Sequence, residues 1–152
     1  VCSSDLSTYL SLHYHLVFGT KERRPLIDPP WGARLNEYLG GMVKSMGGYP
    51  ERIGGMADHV HLLVGLKATH CLSDFMRDLK KNSSLWVHRE IGMRDFAWPE
   101  GYAAFTVSAT AREGVKTYIS RQGEHHRVKS FSEELAGLLE QAGIEYNPDY
   151  LE

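Results

Sequence analysis

Gly54-Gly55-Met56-Ala57-Asp58-His59-Val60-His61-Leu62-Leu63-Val64 is the stretch on which the fold turns. Residues 59–66 are densely apolar and β-branched, which reads as a strand. A turn falls near Met56-Ala57-Asp58, and residues 49–55 before it read as a shorter strand. The centre of the chain is therefore a hairpin. Upstream, Trp31, Leu35, Leu39, Met42, Val43 and Met46 recur at helical spacing, with Pro29-Pro30 as the start and Gly47-Gly48 as the stop. A polar loop over residues 19–30 precedes that helix, and residues 9–18 read as a strand. Downstream, residues 73–91 form a second helix, with Ser73 as N-cap, Asp74 favourable in the first turn and a core face of Phe75, Met76, Leu79, Trp86 and Val87. Residues 102–107 make the last strand. The order β-α-β-β-α-β is the ferredoxin-like split arrangement, an α+β fold with an antiparallel sheet backed by helices on one face. Two more helices follow, over residues 109–122 and 130–143. Ser130 and Glu133 fit a capping box at the start of the second.

At 152 residues, 42% hydrophobic and 24% charged, the chain has the size and composition of one globular domain. No apolar run approaches the roughly 18 residues of a membrane span. Two cysteines are too few for a disulfide framework or a cysteine zinc cluster and point to a reducing, cytoplasmic setting. The 17 basic and 19 acidic side chains are unevenly placed. From Ser132 onward there are six acids (Glu133, Glu134, Glu140, Glu145, Asp149, Glu152) and no Lys or Arg, so residues 1–131 carry a balance of +4. A polyanion would approach the body rather than the tail. Residues 1–6 back-translate into a sequencing-adapter string and are read as a non-native leader, leaving a single domain over residues 7–152.

His59 and His61 stand at i and i+2 of a strand and share a face, their Cα atoms about 6.6 Å apart. Two imidazoles so placed can lean onto one metal ion, or can simply be hydrogen-bonded on the sheet. His13-Tyr14-His15 repeats the pattern, and His13 and His15 read as sheet residues. Tyr118 and Gln122 are neighbours at i and i+4 of a helix. Beside a core stripe such a tyrosine is either structural or a nucleophile whose helix also offers an amide oxygen to a metal. Only about one phenol in a thousand is ionised at pH 7, so a nucleophilic tyrosine needs a cation nearby. His59, His61 and Gln122 would hold that cation for Tyr118. Arg77, Lys80 and Lys81 lie near one side of the second helix, either as a solvated face or as phosphate contacts for DNA. Trp86, Trp98, Tyr102 and Phe105 read as core.

These features, with Tyr14-His15-Leu16-Val17-Phe18, Lys21, Arg23-Arg24-Pro25, Leu79-Lys80-Lys81-Asn82-Ser83-Ser84, Trp98-Pro99-Glu100-Gly101-Tyr102-Ala103-Ala104-Phe105, Tyr118-Ile119, Gln122, His125-His126-Arg127 and Ser130-Phe131, resemble the single-tyrosine HUH transposases of insertion sequences. The REP-associated tyrosine transposase branch is the nearest in pattern. The resemblance implies that Tyr118 attacks single-stranded DNA to form a 5′-phosphotyrosine, with Mg²⁺ or Mn²⁺ held by His59, His61 and Gln122. It implies a hairpin or palindromic DNA partner, a homodimer joined through sheet edges, and a cytoplasmic, nucleoid-associated enzyme. It places DNA contacts at Lys21, Arg23 and Arg24. Relatives often carry Asn where this chain has Arg121, which either weakens metal binding or supplies a phosphate contact. His125-His126-Arg127 reads as structural. Two further readings stay open: a non-catalytic hairpin-binding protein and a nicking-only endonuclease.

Overall fold

The computed structural model describes residues 7–125 and 129–151. Four antiparallel strands form the sheet: β1 (His13–Gly19), β2 (Tyr49–Met56), β3 (His59–Gly65) and β4 (Ala103–Val107), in the order β2-β3-β1-β4. Helix α1 (Pro29–Ser45) joins β1 to β2, and α2 (Leu72–Trp86) joins β3 to β4. This is the ferredoxin-like arrangement expected from the element order.

The two faces of the sheet have separate tasks. Leu16 and Phe18 of β1 and Val60, Leu62 and Val64 of β3 point one way and pack with Trp31, Leu35, Leu39 and Val43 of α1 and Phe75, Met76, Leu79 and Trp86 of α2. The alternate residues of β3 are His59, His61 and Leu63, all buried under the C-terminal helices. A strand covered on both sides shows a continuous apolar run, and that made β3 legible.

Those helices are α3 (Arg112–Ser120), the single turn α4 (Gln122–His125) and α5 (Phe131–Gln141). They lie on the opposite side of the sheet from α1 and α2, so helices cover both faces. The continuous helix expected over residues 109–122 is divided. Residues 109–111 form a 3-10 turn, and Arg121 (φ −102°, ψ 24°) kinks the chain before α4. The α5 capping box forms as expected: the Ser130 hydroxyl accepts from the Glu133 amide, and the Glu133 carboxylate accepts from the Ser130 amide.

Other boundaries shift for physical reasons. Tyr9 and Leu10 fall outside β1 and are 87% and 56% exposed, because β1's partners run out where His13 faces Gly65 and Val107. Ser73 is not the cap of α2: Cys71 holds that position without a side-chain hydrogen bond. A π-helical turn over Val87–Ile91 carries α2 on to its expected end, where Gly92 adopts φ 82°. Tyr102 is 39% exposed rather than core.

Helix α3 sits closely on β2. A Cβ at Gly54 would stand 2.9 Å from the Ile119 carbonyl oxygen, and one at Gly55 2.2 Å from the His59 carbonyl oxygen. Both glycines exist to let backbone approach backbone. Gly54→Ala is expected to push α3 outward and cost about 1–3 kcal/mol of stability, as overpacking typically does. A thermal melt unchanged from wild type would contradict this seating.

Candidate active site

His59 and His61 are fully buried on the inner face of β3. Each imidazole is oriented from behind. Nδ1 of His59 lies 2.8 Å from Oδ1 of Asp58, so it carries the proton and leaves the Nε2 lone pair facing inward. Nδ1 of His61 lies 2.8 Å from Nε2 of His15. Burial first, and then the neighbouring His61, lower the His15 pKa to about 3, so His15 is neutral. It sits within the sheet as an outer partner of the pair, and such partners orient metal-ligating histidines. The Phe131 ring stacks on His59 at 4.1 Å between centroids and clamps the imidazole from the α5 side.

Tyr118 and Gln122 arrive from α3 and α4 and meet one of the six acids of the C-terminal tail. Glu134, on the first turn of α5, is 5% exposed. Its Oε1 lies 3.2 Å from Nε2 of His61 and 3.5 Å from Nε2 of His59. Its Oε2 accepts from the Tyr118 hydroxyl and, at 2.9 Å, from the Gln122 side-chain nitrogen. That second bond fixes the Gln122 amide, turning its oxygen to 2.9 Å from Nε2 of His59. Despite the kink at Arg121, the i and i+4 side chains thus reach one carboxylate.

The acid–base balance follows from this geometry. Burial pushes the Glu134 carboxyl upward, but hydrogen bonds from His61, Tyr118 and Gln122 more than offset it and hold the group ionised, well below the usual carboxylate range. Burial and then the Glu134 carboxylate push the Tyr118 phenol above its ordinary value.

The donor set fits a divalent cation. The ligand nitrogens of His59 and His61 and an oxygen of Glu134 lie within 4.8 Å of one another. With the Gln122 oxygen they form a convergence of acceptor atoms that a proton or a metal ion must bridge. Two imidazoles with carboxylate and amide oxygens suit a borderline-to-hard ion such as Mn²⁺ or Mg²⁺.

The basic residues divide. Lys21 and Arg24 are exposed beside the end of β1, with Arg24 paired to Asp95 at 3.0 Å. Arg23 is closer to the site: its guanidinium covers the Phe131 ring at 4.4 Å and donates to Ser132 at 2.7 Å. Arg121 is exposed at the end of α3. On α2, Arg77 is exposed and paired with Asp74 and Asp78, and Lys81 is exposed.

Lys80 departs from the expected set of DNA contacts. Its ammonium is buried against three loop carbonyls, those of Pro99, Glu100 and Gly101, and lies 6.0 Å from the Phe18 ring centre. Its protons are committed to holding the loop before β4, where Trp98 also donates to Ser83 at 2.9 Å. Lys80→Met is expected to cost about 1–3 kcal/mol, because it removes the ammonium that three carbonyls of a half-buried loop share, and to leave the salt dependence of DNA binding unchanged. Lys81→Ala should spare stability and reduce the salt slope by about one. Melts and salt titrations of the two variants would separate the roles; a reduced slope in Lys80→Met would reverse the assignment. His126 and Arg127 lie outside the described residues.

A tyrosine hydroxyl, two buried imidazoles and a carboxylate thus converge on one face of a ferredoxin-like sheet. The family model for IS200-like transposases matches residues 8–122, and the chain belongs to that family of DNA-cleaving and rejoining enzymes. Among solved structures, the chain is similar to a Deinococcus radiodurans protein assigned as a transposase, at 26% identity over 76% of this chain and 93% of that one, with a TM-score of 0.64. It shares its fold with a REP-associated tyrosine transposase bound to a REP hairpin, at 13% identity over 78% of this chain and 71% of that one, with a TM-score of 0.59. No curated protein matches the chain. Among the described residues, no helix is long and apolar enough to cross a membrane.

Proposed function

We propose that this transposase cuts and rejoins single-stranded DNA beside a hairpin, with Tyr118 as nucleophile and a divalent ion held by His59, His61, Gln122 and Glu134. The observation that carries the reading is the meeting of the Tyr118 hydroxyl and both inward imidazole nitrogens on the single Glu134 carboxylate.

In the cleavage step the phenolic oxygen attacks phosphorus. A phosphotyrosine bond forms to the 5′-phosphate of the downstream strand, the bond between phosphorus and the 3′-oxygen breaks, and the upstream strand leaves with a 3′-hydroxyl. Oε2 of Glu134 accepts the hydrogen bond of the phenol and orients it; the phenolic proton passes to solvent water, and the departing 3′-oxygen takes a proton from water. A bound Mg²⁺ or Mn²⁺ would supply charge stabilisation at the phosphate and the leaving oxygen. Attack of a 3′-hydroxyl on the phosphotyrosine reverses the sequence and joins strands without an outside energy source.

Lys21, Arg23, Arg24, Arg77, Lys81 and Arg121 are the side chains we assign to the DNA backbone. Arg77 and Lys81 border a cavity of about 430 Å³ that Tyr102 also lines. Strand β4 pairs on one side only among the described residues, and that open edge is the route to a homodimer.

The test is a covalent one. Protein mixed with a hairpin carrying a flanking single strand and Mn²⁺ should yield a protein–DNA adduct that survives denaturation, together with a free 3′-end. Tight hairpin binding with no adduct for any matched DNA or either metal would reduce the protein to a binding module. An adduct whose 3′-end never joins a second strand would make it a nicking enzyme.

A further inference from the structure

A second charged cluster lies where α3 crosses the outer strand β2. Glu51 stands on an edge strand, yet its side chain is only 1% exposed. Arg112, at the start of α3, donates to Oε1 of Glu51 from Nε at 2.9 Å and also from Nη2. Lys116, one turn further along α3, brings its ammonium to 3.9 Å from the same oxygen. On the other carboxylate oxygen, Nδ1 of His13 lies at 2.9 Å. Burial raises the carboxyl's pKa, but Arg112, His13 and Lys116 together hold it below its ordinary value.

A buried carboxylate is costly unless paired, and its cations here come chiefly from the helix that carries Tyr118. The apolar hold on that helix is small. Ile119 is the one residue of α3 that is fully buried, with Val115 and Tyr118 partly so. Apolar burial of that extent fixes a face but not a position along the strand. The polar anchors do fix it: Glu51 grips Arg112 and Lys116, and Arg52 donates to Ser120.

We propose that Glu51 is a positioning residue for DNA cleavage, which acts through Arg112 and Lys116 to set the tyrosine helix on the sheet so that Tyr118 reaches the His59–His61 pair. The proposal rests on the reading of Tyr118 as nucleophile. A displacement of about 1 Å at a reacting atom costs on the order of 100-fold in rate, so a loosened anchor acts on turnover before it acts on binding.

The test is Glu51→Gln, which keeps the side chain's size and removes its charge. Single-turnover cleavage should fall about 10- to 100-fold while hairpin affinity stays within about threefold. Amide exchange of residues 112–120 should quicken, with β1 and β3 protected as before. Adding Arg112→Gln to Glu51→Gln should cost little more, since both remove one interaction. Parallel loss of affinity, cleavage and protection throughout the sheet would make Glu51 a support of the fold only, and would overturn the proposal. So would unchanged cleavage in Glu51→Gln beside an active wild type. A wild type that cleaves no DNA would sink the strand-transfer reading first, and this proposal with it.

Discussion

Tyr118→Phe is expected to abolish the covalent protein–DNA adduct and lower strand cleavage by about 10⁴-fold or more, the scale on which removal of a nucleophile acts. The substitution deletes one oxygen and leaves the ring. That ring lies edge-on to His61, with centroids 5.8 Å apart, and to His15 at 6.1 Å, so its packing should survive. Gln122 still donates to Oε2 of Glu134 at 2.9 Å, so the carboxylate keeps a partner and the site does not collapse around an orphaned charge. Hairpin affinity should therefore change by less than a few-fold. Denaturing gels would follow the adduct and anisotropy the affinity. An adduct of wild-type yield from the Phe variant would remove Tyr118 from the reaction. Loss of affinity matching the loss of cleavage would mean that the phenol serves the architecture instead.

The parts of this molecule legible in the sequence were those whose pattern is local. The run from His59 to Val64 announces a strand covered on both faces, and Trp31, Leu35, Leu39 and Val43 announce a buried helix stripe. Ser130 and Glu133 announce a cap that forms between near neighbours. Boundaries set by distant partners were not legible: β1 starts at His13, where its registers with Gly65 and Val107 end. Lys80 looked like a surface cation because nothing local reveals that a loop 19 to 21 residues later folds back onto its ammonium. Glu134 was hidden among the tail acids for the same reason, its contact with His61 spanning 73 residues. One local signal for it existed. Phe131, Glu134 and Leu135 share the stripe that faces the protein on α5, and an ionisable residue in a buried stripe asks for a partner.

Glu134→Gln should raise the Mn²⁺ concentration needed for half-maximal cleavage by about 10- to 100-fold, the usual effect of losing a strong partner at a metal site. The amide keeps an oxygen for the cluster but loses the charge that attracts a dication. The variant should also change the pH dependence, in a direction that the geometry fixes. In the wild type, burial and then the hydrogen bond to an anionic acceptor raise the Tyr118 pKa, so the phenolate form gains ground only at alkaline pH. Removing the anion removes the second cause and leaves the first. The phenol's titration should therefore move down toward its ordinary value without reaching it. At saturating metal, cleavage by the variant should gain its alkaline rise at lower pH than the wild type, while its rate at neutral pH stays below wild type because an amide orients the phenol less firmly than a carboxylate does. Ultraviolet difference titration reports the phenol, and single-turnover rates across pH and Mn²⁺ report the rest. A variant that cleaves faster than wild type at neutral pH and low metal would reverse the assignment: the carboxylate would then be an occupant that DNA must displace, and α5 a cover over a site complete without it.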